Sequence, residues 1–133
     1  MYYFAYASNL SRAQMATVVP GARVCFSATL PNHRLVFGGY SRAWRGGTAS
    51  LQVSDGNRVM GGIYEITEQE LARLDKHEGC PLEYIHVTVT VYPDIGGPVK
   101  AVAFVRPRQM AEAKPSAEYL ACIKQGYLDW GLV

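Results

Sequence analysis

From Leu82 to Tyr92 the chain alternates, with Ile85, Val87, Val89 and Val91 on one side and Tyr84, His86, Thr88 and Thr90 on the other. A period of two residues belongs to a β-strand with one face buried and one face polar. After a turn around Gly96-Gly97-Pro98, the apolar run Val99 to Val105 supplies an antiparallel partner. Further strands are expected at Met1 to Tyr6, Ala22 to Leu30, His33 to Phe37, Thr48 to Ser54 and Arg58 to Ile66. Asp55-Gly56 reads as a hairpin turn between the last two. Only three stretches carry helical signals, and they do not alternate with the strands as βαβ units would, which argues against a Rossmann layout. The expected fold class is α+β, a mainly antiparallel, barrel-like sheet with a few flanking helices.

The 133 residues suit one domain spanning positions 1–133, large enough to build a hydrophobic core without staples. Hydrophobic residues are 49% and charged residues 18% of the chain, which excludes disorder. A net charge of +2 is too even for phosphate-backbone binding, so no nucleic-acid partner is expected. Cys25, Cys80 and Cys122 are an odd number without a C-x-x-C pair, so neither a disulfide framework nor a zinc ribbon is indicated. No apolar run approaches the roughly 20 residues of a membrane span. The opening MYYFAYASNL lacks the basic stretch of a signal peptide, and a cytoplasmic location is expected.

The helices have readable ends. One is expected from Ser11 to Val18, stopped by Pro20-Gly21. Thr67-Glu68-Gln69-Glu70 is a capping box that starts a second helix, and Gly79 is placed to close it in the left-handed conformation near His77 or Glu78. A third starts near Ser116, after Pro115, with Leu120, Ile123 and Tyr127 on its inner face.

The second helix carries an acid on the wrong face. Glu78 lies seven residues after Leu71 and four after Leu74, so a regular helix puts it in line with the apolar stripe. A carboxylate there must be paired, protonated or used, because an isolated buried charge is costly. Burial and the helix C-terminus both raise its pKa, which suits a general base working near neutrality. A frayed end, with Glu78 in water or paired with Lys76 or Arg73, is the competing reading. At the other end of the chain, Tyr6-Ala7-Ser8-Asn9-Leu10 turns from a strand into a helix. Such a turn leaves backbone N–H groups free for a carboxylate or an oxyanion; an ordinary capping turn with Asn9 or Ser11 as N-cap is the alternative.

Taken together these segments resemble a known family. YFAYASNL at Tyr3 to Leu10 is similar to the Y-F-A-Y-G-S-N-L signature of the γ-glutamylcyclotransferases, of the AIG2-like group. LDKHEG at Leu74 to Gly79 resembles that family's L-D-x-x-E-G segment. WRGGTA at Trp44 to Ala49, VMGGIYEI at Val59 to Ile66 and PSAEYL at Pro115 to Leu120 follow in the family's order. The resemblance implies a small β-barrel fold and an intramolecular reaction. The α-amine of a γ-glutamyl group attacks its own γ-amide carbonyl, giving 5-oxoproline and a free amine, with no cofactor and no metal.

It also implies roles. Glu78 matches the catalytic acid/base. The segment Tyr3, Phe4, Ala5, Tyr6, Ala7, Ser8, Asn9 and Leu10 matches the substrate-binding loop. Tyr119 matches a substrate-contacting tyrosine, and Tyr84 one that lines the cavity; a core aromatic with a satisfied hydroxyl is the other reading of each. Ala7 stands where the family has glycine, and a negative φ is expected there because alanine rarely adopts a positive one. The three cysteines are expected to be structural, and Asp75 to cap or pair locally. The implied partner is a small γ-glutamyl substrate, foremost a γ-glutamyl amino acid, handled by a monomer or a homodimer. γ-Glutamyl amines, glutathione and a γ-glutamyl-protected metabolite are the other substrate candidates. A catalytically silent module holding a small acidic ligand is the alternative from a different class.

Overall fold

The structure, a computed structural model, describes residues 1–132. Five strands form the sheet: β1 (Tyr2–Ala5), β2 (Arg23–Ser41), β3 (Gly46–Glu65), β4 (Ile85–Pro93) and β5 (Val99–Val105). They close into a barrel in the order β1-β3-β2-β4-β5. All pairings are antiparallel except β1 with β5, which meet in parallel at Tyr3 and Val102. Closure leaves the sheet without a free edge. Three helices flank it: α1 (Arg12–Val18), α2 (Glu68–Glu78) and α3 (Ala117–Asp129). None is long and apolar enough to cross a membrane.

The α+β barrel expected from the sequence is therefore present, with two corrections to its parts. The hairpin expected at Asp55-Gly56 does not exist. The segments on either side of it belong to one strand, β3, which runs antiparallel to β2 over almost its whole length. Their hairpin closes instead at the turn before Gly46, where Arg45 has φ 58°. Asp55-Gly56 is the crown of a bulge: Pro31 pairs with Arg58 and His33 with Val53, so residues 54–57 of β3 bow out opposite Asn32 alone. Asn32 and Gly56 both have positive φ, and the Asn32 side chain accepts from Gly56 N at 3.2 Å. A bulge bends and twists a long hairpin, as barrel closure requires.

The second correction concerns α3. Its buried residues are Tyr119, Ile123 and Gly126, and Tyr127 packs against both core clusters as expected, whereas Leu120 is 44% exposed. The helix turns so that Tyr119 Oη can accept the buried Ala49 N–H at 2.9 Å. The bond satisfies a buried donor that would cost about 1–3 kcal/mol if left unpaired.

The alternation of β1 divides the core into two. Phe4 faces a cluster with Leu30, Val59, Ile63 and Val91 that fills the barrel. Tyr3 and Ala5 face a second cluster beneath α1 and α2, with Met15, Tyr64, Ile66 and Leu74. The capping box forms as read, with Thr67 Oγ1 accepting from Glu70 N and Glu70 returning the bond, and Gly79 closes α2 at φ 75°, ψ 35°. Leu74 is fully buried, so α2 is held on the barrel and its last residue has a defined place.

Candidate active site

A cavity opens where the end of α2 meets the turn after β1. It measures about 40 Å³, and its lining includes Tyr3, Tyr6, Ala7, Ser8, Asn9, Glu78, Tyr84 and Tyr119. Eight of the sequence-derived site residues thus come together from four separate stretches of chain. Phe4, Ala5 and Leu10 do not line it. Their side chains are buried in the two core clusters and are fixed there by strand alternation and by the packing of α3. Ala49 and Phe104 complete the lining, and neither stood out as a site residue in the sequence.

The turn is a short 3₁₀ segment, Ser8–Leu10, in which Leu10 N donates to Ala7 O and Ser11 N to Ser8 O. Its carbonyls are all engaged. Ser8 O also accepts from Cys122 Sγ at 3.4 Å, Asn9 O from Tyr64 Oη at 2.9 Å, and Leu10 O from Trp130 Nε1 at 2.8 Å. The Tyr64 and Trp130 rings brace each other edge to face at 5.2 Å. Gly126 lets α3 come this close, since a Cβ there would overlap Leu10 Cβ and the Ser11 amide. Leu10 N is the first donor of the turn, so the amides of Ser8 and Asn9 precede its internal bonds. Ala7 has φ −133°, in the negative range expected for an alanine.

Glu78, the last residue of α2, does not fray into water or pair with Lys76 or Arg73. Its Oε1 accepts from Asn9 Nδ2 at 3.3 Å, and the same nitrogen donates to Tyr3 Oη at 3.0 Å. Burial pushes the Glu78 carboxyl up to about 7; the Asn9 hydrogen bond opposes this, and the negative charge of Glu83 adds to it. A carboxyl with that pKa is present in both forms at neutral pH, so it can accept a proton and return it. Asn9 is itself 3% exposed, and its Oδ1 is buried with no hydrogen-bond partner among the described residues.

The tyrosines are anchored rather than titrating. Tyr6 Oη donates to Phe104 O at 2.5 Å, Tyr84 Oη donates to Ala49 O at 2.7 Å, and Tyr119 holds Ala49 N. Burial raises all three phenols, and Tyr3 with them, so they stay protonated at neutral pH. Tyr84 and Tyr119 are therefore both cavity-lining and satisfied, and the two readings of each from sequence are compatible. Asp75 pairs not within its own helix but across to His86 on β4, at 2.7 Å. Cys80 is raised to about 11, first by burial and then by Asp75, which leaves it a thiol and a poor nucleophile. Among the described residues no group of three or more His, Cys, Asp or Glu side chains is arranged to hold a metal ion.

The family model described as Gamma-glutamyl cyclotransferase, AIG2-like, matches residues 3–126. The chain is 29% identical to the gamma-glutamylcyclotransferase of Mus musculus and 30% identical to that of Homo sapiens, each over 98% of this chain and 71% of the relative. Among solved structures, one named gamma-glutamyl cyclotransferase superposes with a TM-score of 0.94 at 28% identity, covering 99% of this chain and 80% of that one. An uncharacterized protein from Homo sapiens superposes equally well, with a TM-score of 0.94 at 29% identity over 98% of this chain and 80% of that chain.

Proposed function

The chain belongs to the gamma-glutamyl cyclotransferase, AIG2-like family, and from that premise we propose that it converts a γ-glutamyl amino acid into 5-oxoproline and the free amino acid, with Glu78 as the proton carrier. The observation that carries the reading is the meeting of a carboxyl poised near neutrality with the turn after β1, through the Asn9–Glu78 hydrogen bond.

The reaction needs few parts. The nucleophile and the carbonyl belong to one γ-glutamyl chain, so folding that chain into a five-membered ring replaces a bimolecular encounter. The α-nitrogen loses two protons between ammonium and lactam, and the leaving nitrogen gains two between amide and ammonium. Glu78 passes them one at a time. As a carboxylate it takes a proton from the α-ammonium; the freed amine attacks the γ-carbonyl carbon; as a carboxylic acid it protonates the departing nitrogen as the old C–N bond breaks.

Asn9 is proposed to place the nucleophile. Its Nδ2 is committed to Glu78 and Tyr3, which turns the unpartnered Oδ1 into the acceptor for the substrate's ammonium. The amides of Ser8 and Asn9 are suited to the negative charge of the γ-glutamyl unit or of the tetrahedral oxyanion. The phenols of Tyr84 and Tyr119 hold the Ala49 wall against which the chain folds.

The test is a panel of γ-glutamyl amino acids, γ-glutamyl amines and glutathione, with 5-oxoproline as the readout. Turnover is expected to be greatest with γ-glutamyl amino acids. Preference for another member would move the substrate assignment, and binding without turnover on any member would favour a silent binding module.

A further inference from the structure

A second cavity, of about 550 Å³, lies away from Glu78 and shares no lining residue with the first. It is a groove between the β2–β3 hairpin and the segment that leads from β5 to α3. Its floor is one face of the hairpin, where Arg34 pairs with Gln52 and Val36 with Ser50. Its wall is strapped in place: Gly39 N donates to Ala111 O at 3.3 Å and Ala113 N to Phe37 O at 3.1 Å. Gly38 permits the approach, since a Cβ there would stand 3.0 Å from Ala111 O. The groove is thus shaped before any ligand arrives, which lowers the cost of binding one.

Its charge is unbalanced. Arg34, Arg106 and Arg108 line it against the single carboxylate of Glu112. The ion pairs among the described residues are Arg23–Glu65 and His86–Asp75, so none of these three guanidinium groups has a carboxylate partner. Arg106 is the most constrained. Its Nη2 donates to Gly38 O at 3.0 Å and to Thr48 Oγ1, and the guanidinium lies 4.9 Å from the centre of the Tyr84 ring. Its Nε is buried and has no hydrogen-bond partner among the described residues. Arg106 is thus a partly buried cation whose hydrogen-bond acceptors are neutral, a setting that favours an anion beside it. Guanidinium forks match the planar or tetrahedral oxygens of carboxylates and phosphates.

We propose that this groove binds a small organic anion, its carboxylate or phosphate on Arg106 between Arg34 and Arg108 and its apolar part against Val36 and Met110. The proposal does not rest on the catalytic reading. It does place the anion one side chain from the reaction, because Tyr84 carries Arg106 on its ring and also lines the cavity beside Glu78.

The full chain, labelled with ¹⁵N, would be titrated with sodium glutarate and separately with inorganic phosphate at constant ionic strength. Saturable shifts are expected at the amides of Gly38, Leu51, Gln52 and Arg106 below about 10 mM of at least one probe. Whichever probe saturates identifies the oxyanion. Arg34→Gln with Arg108→Gln, both on exposed side chains, should weaken binding by about tenfold or more. The proposal is overturned by linear shifts with both anions, by equal shifts with sodium chloride alone, or by a titration that the double substitution leaves unchanged.

Discussion

Asn9 and Glu78, 69 residues apart in sequence, are joined by a hydrogen bond of 3.3 Å from Nδ2 to Oε1. The bond ties the turn after β1 to the end of α2. It also tempers the proton affinity of the carboxyl, drawing down a pKa that burial pushes up.

The pH profile should follow. Glu78 must be ionised to accept the first proton, so kcat/KM is expected to fall as pH drops through about 7, with unit slope. Asn9→Ala removes a bond that favours the charged form, so the acid limb should move to higher pH as activity falls. A purely structural role for Asn9 would lower activity without moving the limb. The rate against pH for both proteins measures this.

The stability linked to Glu78 should have the opposite pH dependence from that of a salt-bridged carboxylate. The folded-state pKa of Glu78 is about 7 against an ordinary value of 4.5, so between those values the folded form binds more protons than the unfolded chain. Stability contributed by the protonated acid is therefore complete below about 4.5 and lost by about 7. Glu78→Gln removes this loss. Thermal unfolding at pH 8 should show the variant more stable than wild type, by up to roughly 3 kcal/mol, and the difference should shrink toward pH 5. Equal stability at pH 8 would mean that burial does not disfavour the ionised carboxyl.

Gly126→Ala would drive a Cβ into Leu10 and the Ser11 amide. Overpacking of this kind costs about 1–3 kcal/mol. The shifted turn should raise KM for the γ-glutamyl substrate as well, which steady-state kinetics on the soluble variant would detect.

What was legible in the sequence was what local chemistry decides. The capping box and Gly79 fixed both ends of α2, and with them the place of Glu78 on its apolar face. Alternation fixed β4, and Ser116 fixed the start of α3. Asp55-Gly56 misled because its turn chemistry is real, but it serves a bulge opposite Asn32 in strands too long for one local signal. On α3, Ile123 and Tyr127 face the core as the spacing suggested, and Leu120 does not, because Tyr119 takes the inward place through its bond to the Ala49 N–H. The braces of the turn, Tyr64, Cys122 and Trp130, act from 55 to 120 residues away through backbone carbonyls, a kind of contact that leaves no local pattern.

The most direct test of the central claim is 5-oxoproline release from a γ-glutamyl amino acid at pH 8, by wild-type and Glu78→Gln protein of matched circular dichroism. Wild type should turn over, and the variant should be slower by at least ~10²–10⁴-fold while still binding substrate. Near-normal release by Glu78→Gln, or none by wild type on any γ-glutamyl amino acid, would contradict it.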